Sequence, residues 1–242
     1  MTVRVDAIPC LTDNYAWLLT DEETGTTALC DPGEAGPCLA AIEAAGGRLD
    51  LILLTHHHGD HVDGVADVVA RTGAKVVGAR ADAHRLPPLD EAVRPGDHVA
   101  IGAASALVLD SPGHTLGHIA FHVPAASAVL CGDTLFATGC GRLLEGTAAD
   151  MFGSLATLAA LPAETLVCCG HEYTESNIRF ALTVEPQNAA LRAWAAAAAA
   201  LRAEGKPTVP TTMGHEAATN PFIRAPDIAT LAERRRGKDN FR

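Results

Sequence analysis

Thr55-His56-His57-His58-Gly59-Asp60-His61 places four imidazoles and a carboxylate within seven residues, a density no folding core requires. Both groups are costly to bury without partners, so such a cluster is either solvated or gathered around something positively charged. A metal ion meets the second condition. The preceding Asp50 to Leu54 reads as a short buried strand. Val62 to Arg71 reads as a helix, with Val62, Val65, Ala66, Val68 and Val69 as its apolar positions. The cluster thus falls where a strand ends and a helix begins, the end at which α/β sheets usually bind ligands.

Outward from the cluster the arrangement recurs. Val3 to Ile8, Tyr15 to Thr20 and Thr26 to Asp31 are predicted strands, the last closing on the turn signal Asp31-Pro32-Gly33. Glu34 to Ala45 is a predicted helix stopped by Gly46-Gly47. Further strands are predicted over Lys75 to Gly78, Asp97 to Ile101, Ala104 to Leu109, Ile119 to Val123, Ala128 to Cys131 and Thr165 to Cys169, with a helix over Asp150 to Ala160. At His56, His114, Asp133 and His171 an apolar strand runs into a turn bearing a histidine or an aspartate. Strand ends gathered along one sheet edge would bring these side chains together. From residue 172 the composition turns helical, with candidates at Glu175 to Val184, Gln187 to Arg202 and Pro226 to Arg236, the last two separated by a Thr/Pro-rich loop. The expected division is a larger α/β domain over 1–171 and a smaller helical one over 172–242.

The formal charge of −11 argues against a nucleic-acid partner. Against this background Arg224, Arg234, Arg235, Arg236, Lys238 and Arg242 form a local basic patch suited to a small anion. No stretch reads as a signal peptide or a membrane span, so a soluble, cytoplasmic protein with no membrane partner, acting as a monomer, is expected. Seven cysteines without a Cys-x-x-Cys pair read as reduced, mostly buried small hydrophobes.

His56 and His58 are two apart and share one side of an extended segment, while Asp60 and His61 lie around the turn. One segment therefore serves two neighbouring ions. His56, His58 and His114 make one site, Asp60, His61 and His171 the other, and Asp133 bridges them. Each ion keeps a position for water, as in catalytic sites. Two such ions, ~3.5 Å apart, share a hydroxide at neutral pH and polarise the carbonyl it attacks. In this scheme Asp60 and Asp133 are the catalytic carboxylates flanking the hydroxide. His57 alternates away and is assigned a structural or ligand-orienting role, as is His118; His84, His98, His122 and His215 read as surface or packing residues.

The string Thr-His-His-His-Gly-Asp-His, with Gly-His-Thr at 113–115, Gly-Asp-Thr at 132–134 and Gly-His-Glu-Tyr at 170–173, resembles the metallo-β-lactamase superfamily. Gly139-Cys140-Gly141-Arg142, Glu145-Gly146-Thr147, Val184-Glu185-Pro186, Asn220-Pro221-Phe222 and Arg235-Arg236-Gly237-Lys238-Asp239 narrow the likeness to glyoxalase II, the hydroxyacylglutathione hydrolases. The resemblance implies a four-layer αββα sandwich with a dinuclear metal site and a helical C-terminal domain that binds substrate. It implies hydrolysis of S-D-lactoylglutathione to D-lactate and glutathione, with two divalent ions, zinc first and iron or manganese as alternatives. Its metal ligands fall on the same seven residues, and its glutathione contacts on Arg142, Tyr173, Arg235 and Lys238. Arg142 stands where many members have lysine, Leu144 where an aromatic is common, and Gly59 where a bulky residue is common. A persulfide dioxygenase or a lactonase on the same scaffold is the alternative.

Overall fold

The computed structural model describes residues 2–241. It separates into two compact units that interleave along the chain, residues 1–110 with 117–132, and residues 111–116 with 133–242.

In the first unit, β1 (Val3–Cys10), β2 (Asn14–Asp21) and β3 (Thr27–Cys30) form an antiparallel meander. α1 (Ala35–Ala44) leads to β4 (Leu51–Leu54), parallel to β3. α2 (Gly59–Val62) and α3 (Val65–Thr72) lead to β5 (Lys75–Ala79), and β6 (Glu91–Val93) completes the parallel half. The sheet order is the chain order, β1 to β6. A second, antiparallel sheet follows, in which β7 (His98–Ile101), β8 (Ala104–Asp110), β9 (Ile119–Val123) and β10 (Ala128–Gly132) each pair with the next.

Continuous apolar runs such as β3 and β4 are what parallel strands need when both faces are covered. Along β4, Ile52 and Leu54 pack with Cys38 and Ile42 of α1 and with Val65 and Val68 of α3, while Leu53 is equally buried on the opposite face. Ala16 and Leu18 of β2 take the helix side, and Trp17 and Leu19 the other. The antiparallel sheet meets the first at both ends of this second face. The Ala103 amide donates to Asp21 Oδ2 (2.7 Å), and the Ile119 amide donates to the Thr55 carbonyl (3.0 Å).

The helix predicted from Val62 to Arg71 is instead two helices. Gly64 gives its amide to the Pro32 carbonyl (2.9 Å), which breaks the helical ladder there. A Cβ at Gly64 would strike the backbone of residues 32–35, so the bend requires glycine.

In the second unit, β11 (Leu135–Phe136) and β12 (Gly139–Cys140) form a minimal hairpin. α4 (Ala148–Ala159) starts on a reciprocal cap in which Thr147 and Asp150 bond each other's backbone amides. β13 (Leu166–Cys169), α5 (Thr174–Val184) and α6 (Ala189–Ala203) follow. The alanine run of α6 lets it approach α5 closely, with Leu191 and Ala198 against Ile178 and Ala181. β14 (Thr211–Thr212) pairs antiparallel with β13, and α7 (Met213–Thr219) forms where the Thr/Pro-rich sequence predicts a loop. α8 (Ile228–Asp239) runs three residues past the predicted end at Arg236, so Arg235 and Lys238 share one helix. All seven cysteines are buried. No helix among the described residues is long and apolar enough to cross a membrane.

Ile52 is fully buried between α1, α3 and its own sheet. Ile52→Ala is expected to lower unfolding stability by about 3 kcal/mol in urea titration. Arg192→Ala, on the exposed side of α6, is expected to change it by less than ~0.5 kcal/mol.

Candidate metal centre

The first unit carries four of the predicted ligands on one loop. Because β3 and β4 run parallel with Cys30 opposite Leu53, the residue after β3 lies beside the residues after β4. Asp31 therefore meets Thr55: it accepts the Thr55 amide (2.9 Å) and the Thr55 hydroxyl (2.6 Å). That hydroxyl, its one proton committed, accepts from His56 Nδ1 (3.1 Å), which leaves the His56 Nε2 lone pair as the outward donor. Asp31 Oδ2 also takes the Nδ1 proton of His61 (3.1 Å), fixing the same tautomer there. His56 Nε2 lies 3.1 Å from His58 Nδ1, and His61 Nε2 lies 3.6 Å from Asp60 Oδ2. Asn14 holds Asp60 by donating to its Oδ2 (3.0 Å) and its carbonyl (3.1 Å).

The other histidines of this unit support the loop. His57 turns to buried Asp82 (Nδ1 to Oδ2 2.9 Å), which also receives Arg85. His118 is fully buried and stacks on His56 with ring centroids 4.7 Å apart. His84 and His98 are exposed. His122 is half-buried, and burial holds its pKa below the ordinary imidazole value.

The second unit gathers the remaining three. Asp133 Oδ2 lies 3.5 Å from His114 Nε2 and 3.4 Å from His171 Nε2. His114 Nδ1 donates to the Arg142 carbonyl (2.9 Å), again directing Nε2 outward. Gly141 makes this closure possible, since a Cβ there would strike the Asp133 carbonyl. Glu145 Oε2 accepts the Leu116 amide (2.8 Å), so the Gly139–Gly146 stretch wraps the turn that bears His114. Tyr173 lies flat on His171, centroids 4.6 Å apart and planes within 5°, and is partly exposed.

Both halves solve one problem alike. A fixed oxygen takes the Nδ1 proton of His56 and His61 in one half and of His114 in the other, and Nε2 of His61, His114 and His171 lies 3.4–3.6 Å from a carboxylate, a spacing that suits a shared cation. Buried imidazole and carboxylate donors of this kind fit divalent metals. His215, in the second unit, is half-buried with its pKa lowered by burial, and sits edge-on to Trp194.

The predicted substrate residues also lie in the second unit. Lys238 Nζ donates to the Ser176 carbonyl (2.9 Å) and hydroxyl (2.7 Å). Burial first, then the charges of Arg235, Arg179 and Arg142, hold its pKa down to about 8. Arg235 is almost wholly buried; it pairs with Asp239 (2.8 Å), donates to the Cys140 carbonyl (2.7 Å) and lies over the Phe222 ring. Leu144 is exposed. The sequence assigns no site role to Asp31, Asn14 or Ser176. The signal for Asp31 was the one used elsewhere, an acid directly after an apolar strand, but Asp31-Pro32-Gly33 reads first as a turn.

Two sheets, covering helices and this donor set define a class: residues 12–171 match the metallo-β-lactamase superfamily, and the protein has its fold. Among solved structures, ETHE1 from Myxococcus xanthus superposes with a TM-score of 0.71 at 25% identity, covering 98% of this chain and 90% of that one. The di-iron-bound form of TTHA1623 superposes with a TM-score of 0.65 at 28% identity, covering 89% and 98%. Residues 172–241 match the hydroxyacylglutathione hydrolase C-terminus. A hydroxyacylglutathione hydrolase of Fuscovulum blasticum is 52% identical over 100% of both chains, and that of Jannaschia sp. (strain CCS1) is 58% identical over 95% of this chain and 89% of its own. The chain belongs to the hydroxyacylglutathione hydrolase family.

Asp31 sets the His61 tautomer and, through Thr55, that of His56. Asp31→Asn is expected to leave the protein folded and weaken zinc affinity by about 10- to 100-fold in chelator competition.

Proposed function

We propose that this protein is a dinuclear metal hydrolase that cleaves S-D-lactoylglutathione and related 2-hydroxyacylglutathiones to D-lactate and glutathione, the second step of methylglyoxal detoxification. The observation that carries the reading is the family match over both segments, joined to a complete set of imidazole and carboxylate donors. His56, His58 and His114 would hold one ion and Asp60, His61 and His171 the other, with Asp133 as a ligand common to both; zinc is the expected metal and iron or manganese the alternatives. When bound, the ions supply an acidified water and polarise the thioester carbonyl.

The chain's own groups do the rest. Asp60, pinned by Asn14, and Asp133, flanked by two histidines, orient the attacking water through their carboxylates. The departing glutathione thiolate is a good leaving group and needs little acid assistance. Glutathione brings two carboxylates to a protein of formal charge −11, so binding depends on a local excess of cations. Arg142, Arg235 and Lys238 are assigned to those carboxylates, and the Tyr173 phenol to the rest of the glutathione moiety. Residues 1–171 act as the catalytic portion and 172–242 as the substrate-binding portion.

His58→Ala, with its circular dichroism unchanged, is expected to lose more than about 100-fold in kcat/KM on S-lactoylglutathione. Full retention of activity, faster turnover of lactones, or oxygen consumption with a persulfide would overturn the reading. Lys238→Ala is expected to raise KM roughly tenfold with little change in kcat. The lysine keeps its charge below pH 8 and loses it above, because its pKa is about 8 in place of 10.5. KM is therefore expected to climb as pH rises through 8, and Lys238→Arg, which stays charged, is expected to flatten that climb.

A further inference from the structure

Between Asp133 and Arg142 the chain makes the β11–β12 hairpin, and its own pairing is too short to hold it. Phe136 lies opposite Gly139, so only Ala137 and Thr138 form the turn. Thr138 has φ +60°, a left-handed conformation that a β-branched residue keeps only when its surroundings impose it.

Those surroundings are side chains from further along the chain, which take up the hairpin's backbone groups one by one. Asn220 Nδ2 donates to the Phe136 carbonyl (3.2 Å) and the Gly139 carbonyl (2.9 Å). Asn177 Nδ2 donates to the Ala137 carbonyl (3.1 Å). The Thr138 amide donates to Glu216 Oε2 (2.8 Å), and Arg235 Nη1 donates to the Cys140 carbonyl (2.7 Å). The gripping residues are themselves held. Glu216 accepts from Asn220 Nδ2 (2.8 Å) and the Thr211 hydroxyl (2.7 Å), and Arg235 pairs with Asp239. All four are buried, and Gly139 has no side chain because a Cβ would strike the Asn177 amide. Apolar side chains would cover a hairpin at lower cost than a buried carboxylate and guanidinium do. What the polar set adds is position.

That position reaches the site. The Gly141 amide donates to the Thr134 carbonyl (3.1 Å), Gly141 seats against the Asp133 carbonyl, and the Arg142 carbonyl receives His114. We propose that Asn177, Glu216, Asn220 and Arg235 are positioning residues that set the 135–140 hairpin, and through it the Asp133 carboxylate and the Arg142 guanidinium. The proposal rests on the metal and substrate roles assigned above to those two residues. It makes the segment from α5 to α8 an organiser of the metal site as well as a surface for glutathione.

The test compares Asn220→Ala and Glu216→Ala with Glu216→Gln. The glutamine keeps the pattern: its oxygen accepts from Thr138 and Asn220, and its amino group donates to the Thr211 hydroxyl. Both alanine variants are expected to speed hydrogen–deuterium exchange across residues 135–142 of the metal-free protein, weaken zinc affinity about tenfold and lower kcat about tenfold. Glu216→Gln is expected to match the wild type in all three. Wild-type zinc affinity and exchange in a folded Asn220→Ala would overturn the proposal, as would a Glu216→Gln protein as impaired as Glu216→Ala. For any alanine variant that loses its helical circular dichroism, Asn177→Ala, which removes one hydrogen bond, is measured by the same criteria. A wild type inactive on glutathione thioesters would defeat the proposed reaction, and the exchange and zinc measurements would still decide this one.

Discussion

The parallel pairing of β3 with β4 is the constraint from which the ligand loop follows. It sets Asp31 beside Thr55, and that one buried carboxylate then accepts an amide, a hydroxyl and an imidazole proton. Its φ of +51° shows that the backbone turns sharply to deliver it. The turn is possible because Gly33 lets the Asp60 backbone come into contact at a place where a Cβ would collide. The Asp31-Pro32-Gly33 turn and the histidine loop are therefore one structural object, although they are distant in sequence.

Burying histidines costs little only if each keeps a defined tautomer, and the protein arranges this without spending a charged partner on every ring. His61 uses a carboxylate, His114 a backbone carbonyl, and His56 a hydroxyl already committed to Asp31. The choice matters for what the opposite nitrogen does. A carboxylate partner makes an imidazole more basic and a stronger donor than a carbonyl partner does. The two proposed ions thus meet unequal surroundings, which gives a physical basis for unequal affinities at the two positions.

Local spacing was the part of this architecture readable from sequence. His56 and His58 two apart, and apolar runs ending on His114, Asp133 and His171, are statements about neighbours in the chain. Features created by distant neighbours were not readable. The split between α2 and α3 depends on Gly64 meeting Pro32, and Asp31 reads as a turn until β4 is placed beside it. β11, β12 and β14 are two residues each and carry no period, and α7 exists in a Thr/Pro-rich stretch because Thr212 caps it and buried Glu216 ties it to Thr138 and Thr211. The end of α8 was missed in the opposite sense. The predicted helix stops at Arg236, yet it runs on to Asp239, with Lys238 bonded to Ser176 and Arg235 bonded to Asp239.

The state of Glu216 shows how far the hairpin's environment departs from an ordinary protein interior. Burial pushes its pKa up to about 7, while the hydroxyl, amide and backbone donors around it pull the other way. In the unfolded chain the group titrates near 4.5, so the folded state binds a proton that the unfolded state has lost between those values. A carboxyl group with its pKa raised on folding favours the native state at low pH and opposes it as pH passes 7, where charge must be held without solvent. The three donors limit that penalty, and they are the same contacts that fix Thr138 and Asn220. Stability given up at this one residue is thus tied directly to the geometry of the loop between Asp133 and Arg142.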